Sequence, residues 1–213
     1  MRQFSSKGFI VLVMVAYTIL CAIYFVQHYA WDNIFGETIL LPTLFATTLA
    51  FMRRRHGGWF IPLALAFSTM GDFAGAMDNF IAQVSFFAVA YIFFICDFKP
   101  YRSYTASGVI GVCALVCAAT TFLMYILQSV PSETFRYAIG IYAVIIALMA
   151  AAAILQERKY RSWYIIAALL LMLSDGAIAY SIAKGVNTTL FVMPTYYAAQ
   201  AIFTVLYMLR KRV

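Results

Sequence analysis

The sequence predicts an all-α integral membrane protein, a bundle of eight transmembrane helices that could divide into two parallel four-helix halves. Three observations lead there. The 213 residues are 65% hydrophobic and 11% charged, whereas a soluble domain is nearer half apolar and a quarter charged. The apolar residues fall into eight runs long enough, or nearly so, to cross about 30 Å of hydrocarbon. The basic residues gather in every second connection between those runs.

The first run, residues 9–27, follows Arg2 and Lys7 and lacks a small-residue cleavage site, so it reads as a retained helix rather than a signal peptide. A loop with Asp32 and Glu37 leads to the second, 38–52, which Pro42 interrupts early and Arg53-Arg54-Arg55-His56-Gly57-Gly58 closes. The third, 59–77, turns tightly at Asp78-Asn79 into the fourth, 80–98. Lys99, Pro100 and Arg102 precede the fifth, 104–127, and a turn containing Pro131 precedes the sixth, 134–155. After the charged stretch 156–161 comes the seventh, 162–183. A turn with Gly185 and Asn187 then leads to the eighth, 189–209, and Arg210-Lys211-Arg212 ends the sequence. The whole chain, 1–213, reads as a single transmembrane domain.

With eight crossings, Arg2, Lys7, Arg53 to Arg55, Lys99, Arg102, Arg158, Lys159, Arg161 and Arg210 to Arg212 share one side. Only Arg136 and Lys184 fall on the other, with Asp32, Glu37, Asp78 and Glu133. Excess positive charge marks the cytoplasmic side, so both termini are expected there, the membrane being the plasma or inner membrane if the source is bacterial. This distribution, and the lack of any phosphate loop or recognition helix, argues against a nucleic-acid partner despite the net charge of +7. Cys21, Cys96, Cys113 and Cys117 sit in or beside apolar runs, and their spacing suits packing rather than a disulfide or zinc site. His28 and His56 fall in expected loops on opposite sides, so they build no intramembrane metal site.

Two carboxylates lie deep inside apolar runs, Asp72 in Ser68-Thr69-Met70-Gly71-Asp72 and Asp175 in Ser174-Asp175-Gly176. An ionisable group at the bilayer centre costs about 2.5–3.5 kcal/mol on insertion scales. Trp59 lies thirteen residues before Asp72 and Trp163 twelve before Asp175, which suggests an internal repeat. Helix rise puts both carboxylates about 20 Å from the cytoplasmic ends of their runs. The same depth in neighbouring runs holds Ser85, Tyr142 and Tyr196, with Gln83, Tyr197 and Gln200 within a turn. Gly71 and Gly75, a small-xxx-small pair, allow close helix approach, and Ser68 and Ser174 are small polar neighbours of the aspartates.

We therefore expect Asp72 and Asp175 to face one interior cavity, lined by Ser68, Ser85, Tyr142, Ser174, Tyr196, Tyr197 and Gln200. No Lys or Arg lies at this depth to neutralise them, and two desolvated carboxyls close together cannot both ionise cheaply. A protonated acid beside an ionised one is the arrangement of glycoside-type hydrolysis through an oxocarbenium ion. The same residues suit a non-enzymatic lipid-binding protein or a proton-coupled transporter, or aspartates that merely hold helices together by hydrogen bonds.

These elements resemble the YhhN family of eight-span membrane proteins, which includes the lysoplasmalogenases. The residues that carry the resemblance are Gly71-Asp72, Ser174-Asp175 and Tyr196-Tyr197-Ala198-Ala199-Gln200, with Phe86-Phe87 and Tyr91 in the fourth run. It covers most of the chain from Leu41 onward. It implies hydrolysis of the vinyl-ether bond of a lysophospholipid, releasing a fatty aldehyde, with Asp72 and Asp175 as the important carboxylates. It implies a lipid substrate and no metal or organic cofactor. Where the family commonly has Lys-Pro this chain has Leu41-Pro42, and where it has His before the tyrosine this chain has Ala88. Those replacements imply an altered head-group preference.

Overall fold

A computed structural model describes residues 7–30, 36–130 and 132–210. It contains eight α-helices among them: α1 Lys7–Ala30, α2 Leu40–Gly57, α3 Phe60–Ala76, α4 Phe80–Phe98, α5 Ala106–Leu127, α6 Glu133–Leu155, α7 Arg161–Lys184 and α8 Thr189–Met208. Six of them, α1 and α4 to α8, are long and apolar enough to cross a membrane. The protein is an integral, multi-pass membrane protein. Helix α3 is apolar but has 17 residues, and α2 ends in Arg53, Arg54, Arg55 and His56. Arg2, Asp32, Pro131, Lys211 and Arg212, which the charge and turn arguments used, lie outside the described residues.

Local chemistry sets the boundaries. Pro42 does not interrupt α2; it occupies the first turn, where a missing N–H breaks no intrahelical bond. A short 3-10 turn, Gly36–Ile39, leads into that helix. The tight turn between α3 and α4 puts Asp78 at φ +55°, and Asn79 Oδ1 accepts from Ala82 N at 3.1 Å. Thr105 and Ser132 cap α5 and α6 through their side-chain oxygens. Gly185, at φ +67°, closes α7 with its N–H on Ser181 O, a left-handed position that favours glycine. His28 lies in the last turn of α1 rather than in a loop, stacked 5.5 Å from Tyr24.

The chain divides into two compact units, one of Met1–Ala90 and Gln200–Val213, the other of Tyr91–Ala199, so that α4 and α8 each contribute to both. In the first unit α2 and α3 pack closely, and Thr47 and Thr69 hydrogen-bond across them at 3.1 Å. Gly71 and Gly75 admit α4: a Cβ on Gly71 would lie 2.9 Å from the Phe87 ring, and one on Gly75 2.7 Å from the Gln83 amide. The small-residue pair therefore acts as the sequence suggested. At the other end of the unit, Arg53 donates to Arg210 O and Tyr207 to Gly58 O.

In the second unit α5, α6 and α7 pack against one another, and the ends of α4 and α6 are clamped. Ser103 N donates to Leu155 O, Glu157 N to Tyr101 O, and Arg102 and Gln156 form a single antiparallel bridge. Arg158 donates to Asp97 Oδ2 at 2.5 Å and to Asp97 O, with its guanidinium 3.8 Å over the Tyr101 ring. All four cysteines are free thiols, and Cys113 and Cys117 lie exposed on α5 instead of packing inside.

Candidate functional site

Asp175 is buried, 8% exposed, on the face that α7 turns toward α4 and α6. Tyr142 of α6 donates to its Oδ2 at 2.5 Å, and Tyr91 of α4 donates to the same oxygen. The two rings stand 5.7 Å apart, tilted by 32°. Helices α4 and α7 run in opposite directions, since Phe98 near the end of one meets Tyr164 near the start of the other at 5.7 Å while Tyr91, further back, meets Asp175, further on. In any helix the Cα–Cβ bond leans toward the N-terminus. Tyr91 and Asp175 therefore lean toward each other, which is how a residue outside the expected layer reaches the carboxylate.

Beside this carboxylate lies a cavity of about 70 Å³ among α5, α6 and α7. Tyr142 and Asp175 are its polar lining; Phe122, Leu123, Ile146 and Met172 are among the apolar remainder. Gly176 keeps its floor low, as a Cβ there would touch the Phe122 ring at 3.3 Å. The volume holds a few waters or a short stretch of hydrocarbon. Ser174, one residue before, donates to Val192 O of α8 at 3.1 Å and so anchors α7 rather than pointing at a guest.

Asp72 is likewise buried, 4% exposed, in the first unit. Tyr17 and Tyr24 of α1 are buried in the same unit. Those tyrosines, seven residues apart, share a buried stripe of α1 with Val13. The sequence reading gave α1 no part in a site; the seven-residue spacing of its tyrosines was the signal available. A larger groove, about 700 Å³, runs along the outside of this unit past Leu44, Met70, Phe73 and Phe86. Its lining suits a lipid chain.

Of the residues expected around the carboxylates, Tyr142 meets Asp175 directly. Ser68, Tyr196, Tyr197 and Gln200 are buried, at 1%, 4%, 2% and 0% exposure. Ser85 is not part of an interior layer: it is exposed, and its hydroxyl donates to Ile81 O within its own helix. Depth counting is blind to the direction in which a helix residue points, and Ser85 is the residue this misplaces. Tyr91 was the partner missed, because it lies two turns nearer the end of α4 than the counted layer. Among the described residues no three His, Cys, Asp or Glu side chains gather as a metal site would require.

Comparisons with curated proteins and with solved structures return no match. The family comparison does: the buried Asp72 and Asp175 and the stretch Tyr196 to Gln200 all fall within residues 33–206, which match the YhhN family, and the chain belongs to that family.

Proposed function

We propose that the protein hydrolyses the vinyl-ether bond of lysoplasmalogen-type lysophospholipids, releasing a fatty aldehyde, with Asp72 and Asp175 sharing the acid–base roles. The observation that carries this reading is Asp175. It is a buried carboxyl at the wall of an apolar cavity, with Oδ2 held by Tyr91 and Tyr142. Two phenols on one oxygen orient the group and leave Oδ1 for chemistry. Membership of the YhhN family supports the lipid substrate.

The chemistry needs no nucleophilic side chain. A carboxyl transfers its proton to the β-carbon of the enol ether, whose π electrons form the new C–H bond. The adjacent ether oxygen shares the positive charge as an oxocarbenium ion, which a carboxylate stabilises. Water adds to the cationic carbon and gives a proton to the carboxylate left by the first step. The hemiacetal then breaks at its C–O bond to the glycerol, its hydroxyl proton passing to the departing oxygen, to give an aldehyde and the glycerol hydroxyl of the head-group fragment. The apolar lining beside Asp175 suits the alkenyl chain, and the roles of acid and stabilising anion divide between Asp175 and Asp72. Tyr142 positions Asp175, and Tyr196, Tyr197, Ser68 and Gln200 supply polar contacts to the substrate or water. Leu41 and Ala88 bring no charge to the head group, so weak or altered head-group selectivity follows. In this reading all eight helices cross the membrane and both termini are cytoplasmic.

Purified protein given 1-alkenyl lysophospholipid should release aldehyde, and should leave the saturated 1-alkyl ether intact because it offers no carbon to protonate. Equal cleavage of the 1-acyl ester would overturn the mechanism. Failure to release aldehyde, with proton-dependent lipid movement across vesicles, would establish transport instead.

A further inference from the structure

In the first unit two buried side chains have no hydrogen-bond partner among the described residues. Ser68 leaves its Oγ unmet, and Gln200 leaves both Nε2 and Oε1 unmet. Ser68 is 1% exposed and Gln200 wholly buried. Buried polar side-chain atoms nearly always have a partner, protein or otherwise, because an unmet one forfeits its hydration for nothing.

Helix geometry brings the two to one level. The Tyr207 hydroxyl on Gly58 O ties the end of α8 to the turn before α3. Gln200 stands two turns back from Tyr207, about 10 Å along α8, and Ser68 stands about 12 Å along α3 from its first residue. On α3, Ile61, Leu65, Ser68 and Asp72 form one buried stripe; on α8, Gln200, Phe203 and Tyr207 form another. Each stripe is apolar or tied to the backbone near the Gly58 end and turns polar at the same height.

We infer that Ser68, one turn before Asp72 on α3, and Gln200 form a seat for a hydroxyl group. A hydroxyl donates and accepts from a single atom, so it can receive the Gln200 Nε2 proton and give its own to Gln200 Oε1 or Ser68 Oγ. The seat carries no positive charge and adjoins a carboxyl, which excludes phosphate. The hydroxyl comes either from water or from the free glycerol alcohol of a lysolipid. The second source rests on the function proposed above; the seat itself does not.

Thermal unfolding in nanodiscs distinguishes these sources without any hydrolysis. The probes are a 1-acyl lysophospholipid and its 2-deoxy analogue, each compared with plain discs, together with a high-resolution map of the protein. If the lipid alcohol fills the seat, the lysolipid raises the Tm, the deoxy analogue does not, and Gln200→Met removes the difference. If water fills it, the two lipids act alike and the map shows solvent within hydrogen-bond distance of Ser68 Oγ and Gln200. Equal lipid effects, with no solvent there or with both side chains bonded to other protein groups, would overturn the seat. Should Gln200→Met fail to fold, the wild-type lipid comparison and the map still decide. Aldehyde release plays no part, so failure of the hydrolase reading would leave this result standing.

Discussion

Replacing Asp175 by Asn and by Ala separates its chemistry from its packing. Asn keeps the size and an acceptor oxygen for Tyr91 and Tyr142, so the cluster that positions it should survive. It carries neither an acidic proton nor a negative charge, and loss of acid–base assistance should lower turnover about 10²–10⁴-fold. Ala removes the acceptor that the Tyr91 and Tyr142 hydroxyls share, at about 1–3 kcal/mol per lost bond by the usual measure. Intramembrane hydrogen bonds average nearer 0.6 kcal/mol with a maximum of about 1.7, so a total of about 1–3 kcal/mol for the two bonds is the better figure. Aldehyde release measures the first effect and unfolding in detergent the second. The expected pattern is an Asn variant that is stable and inactive, and an Ala variant that is inactive and unstable. Activity within tenfold of wild type in Asp175→Asn would refute the catalytic reasoning, and a fully stable Asp175→Ala would refute the structural part.

Asp72→Asn should also remove turnover while the protein remains folded, as judged by aldehyde release and monodispersity. Tyr142→Phe and Tyr91→Phe each leave one donor on Asp175, so the double variant should lose more activity than the two singles combined, a coupling of about 0.5–3 kcal/mol in a double-mutant cycle. Gly71→Ala should destabilise by about 1–3 kcal/mol, since its Cβ meets an aromatic ring, whereas Gly75→Ala meets the movable end of Gln83 and should cost less; unfolding midpoints compare them. Asp97→Asn leaves the buried Arg158 uncompensated and should cost up to about 3–5 kcal/mol, more than the paired change with Arg158→Met. Reporter fusions after Arg102 and Arg161 should read cytoplasmic and one near Lys184 external; a cytoplasmic reading near Asp78 would overturn the eight-crossing topology.

The eight helices and the two carboxylates were legible in the amino-acid sequence because a membrane chain must satisfy its backbone internally and its solvent is apolar. Length, hydropathy and the spacing of Arg, Pro and Gly therefore suffice to mark helices, and a lone Asp stands out at once. Proximity along a helix was legible too: Gly71 and Gly75 form a contact face, as their spacing implied. Direction around the helix was not, for hydrophobic residues cover both the lipid-facing and the buried sides, and no amphipathic pattern tells them apart. That is why Ser85 was placed inside and is exposed, while Tyr91, reaching back along α4, was left out and meets Asp175. The sharing of α4 and α8 between two compact units was likewise invisible in the sequence, since no Gly or Pro lies beside Ala90 or Ala199. Depth, in short, follows from counting residues at a fixed rise, but azimuth and partnership follow only from which helices pack together.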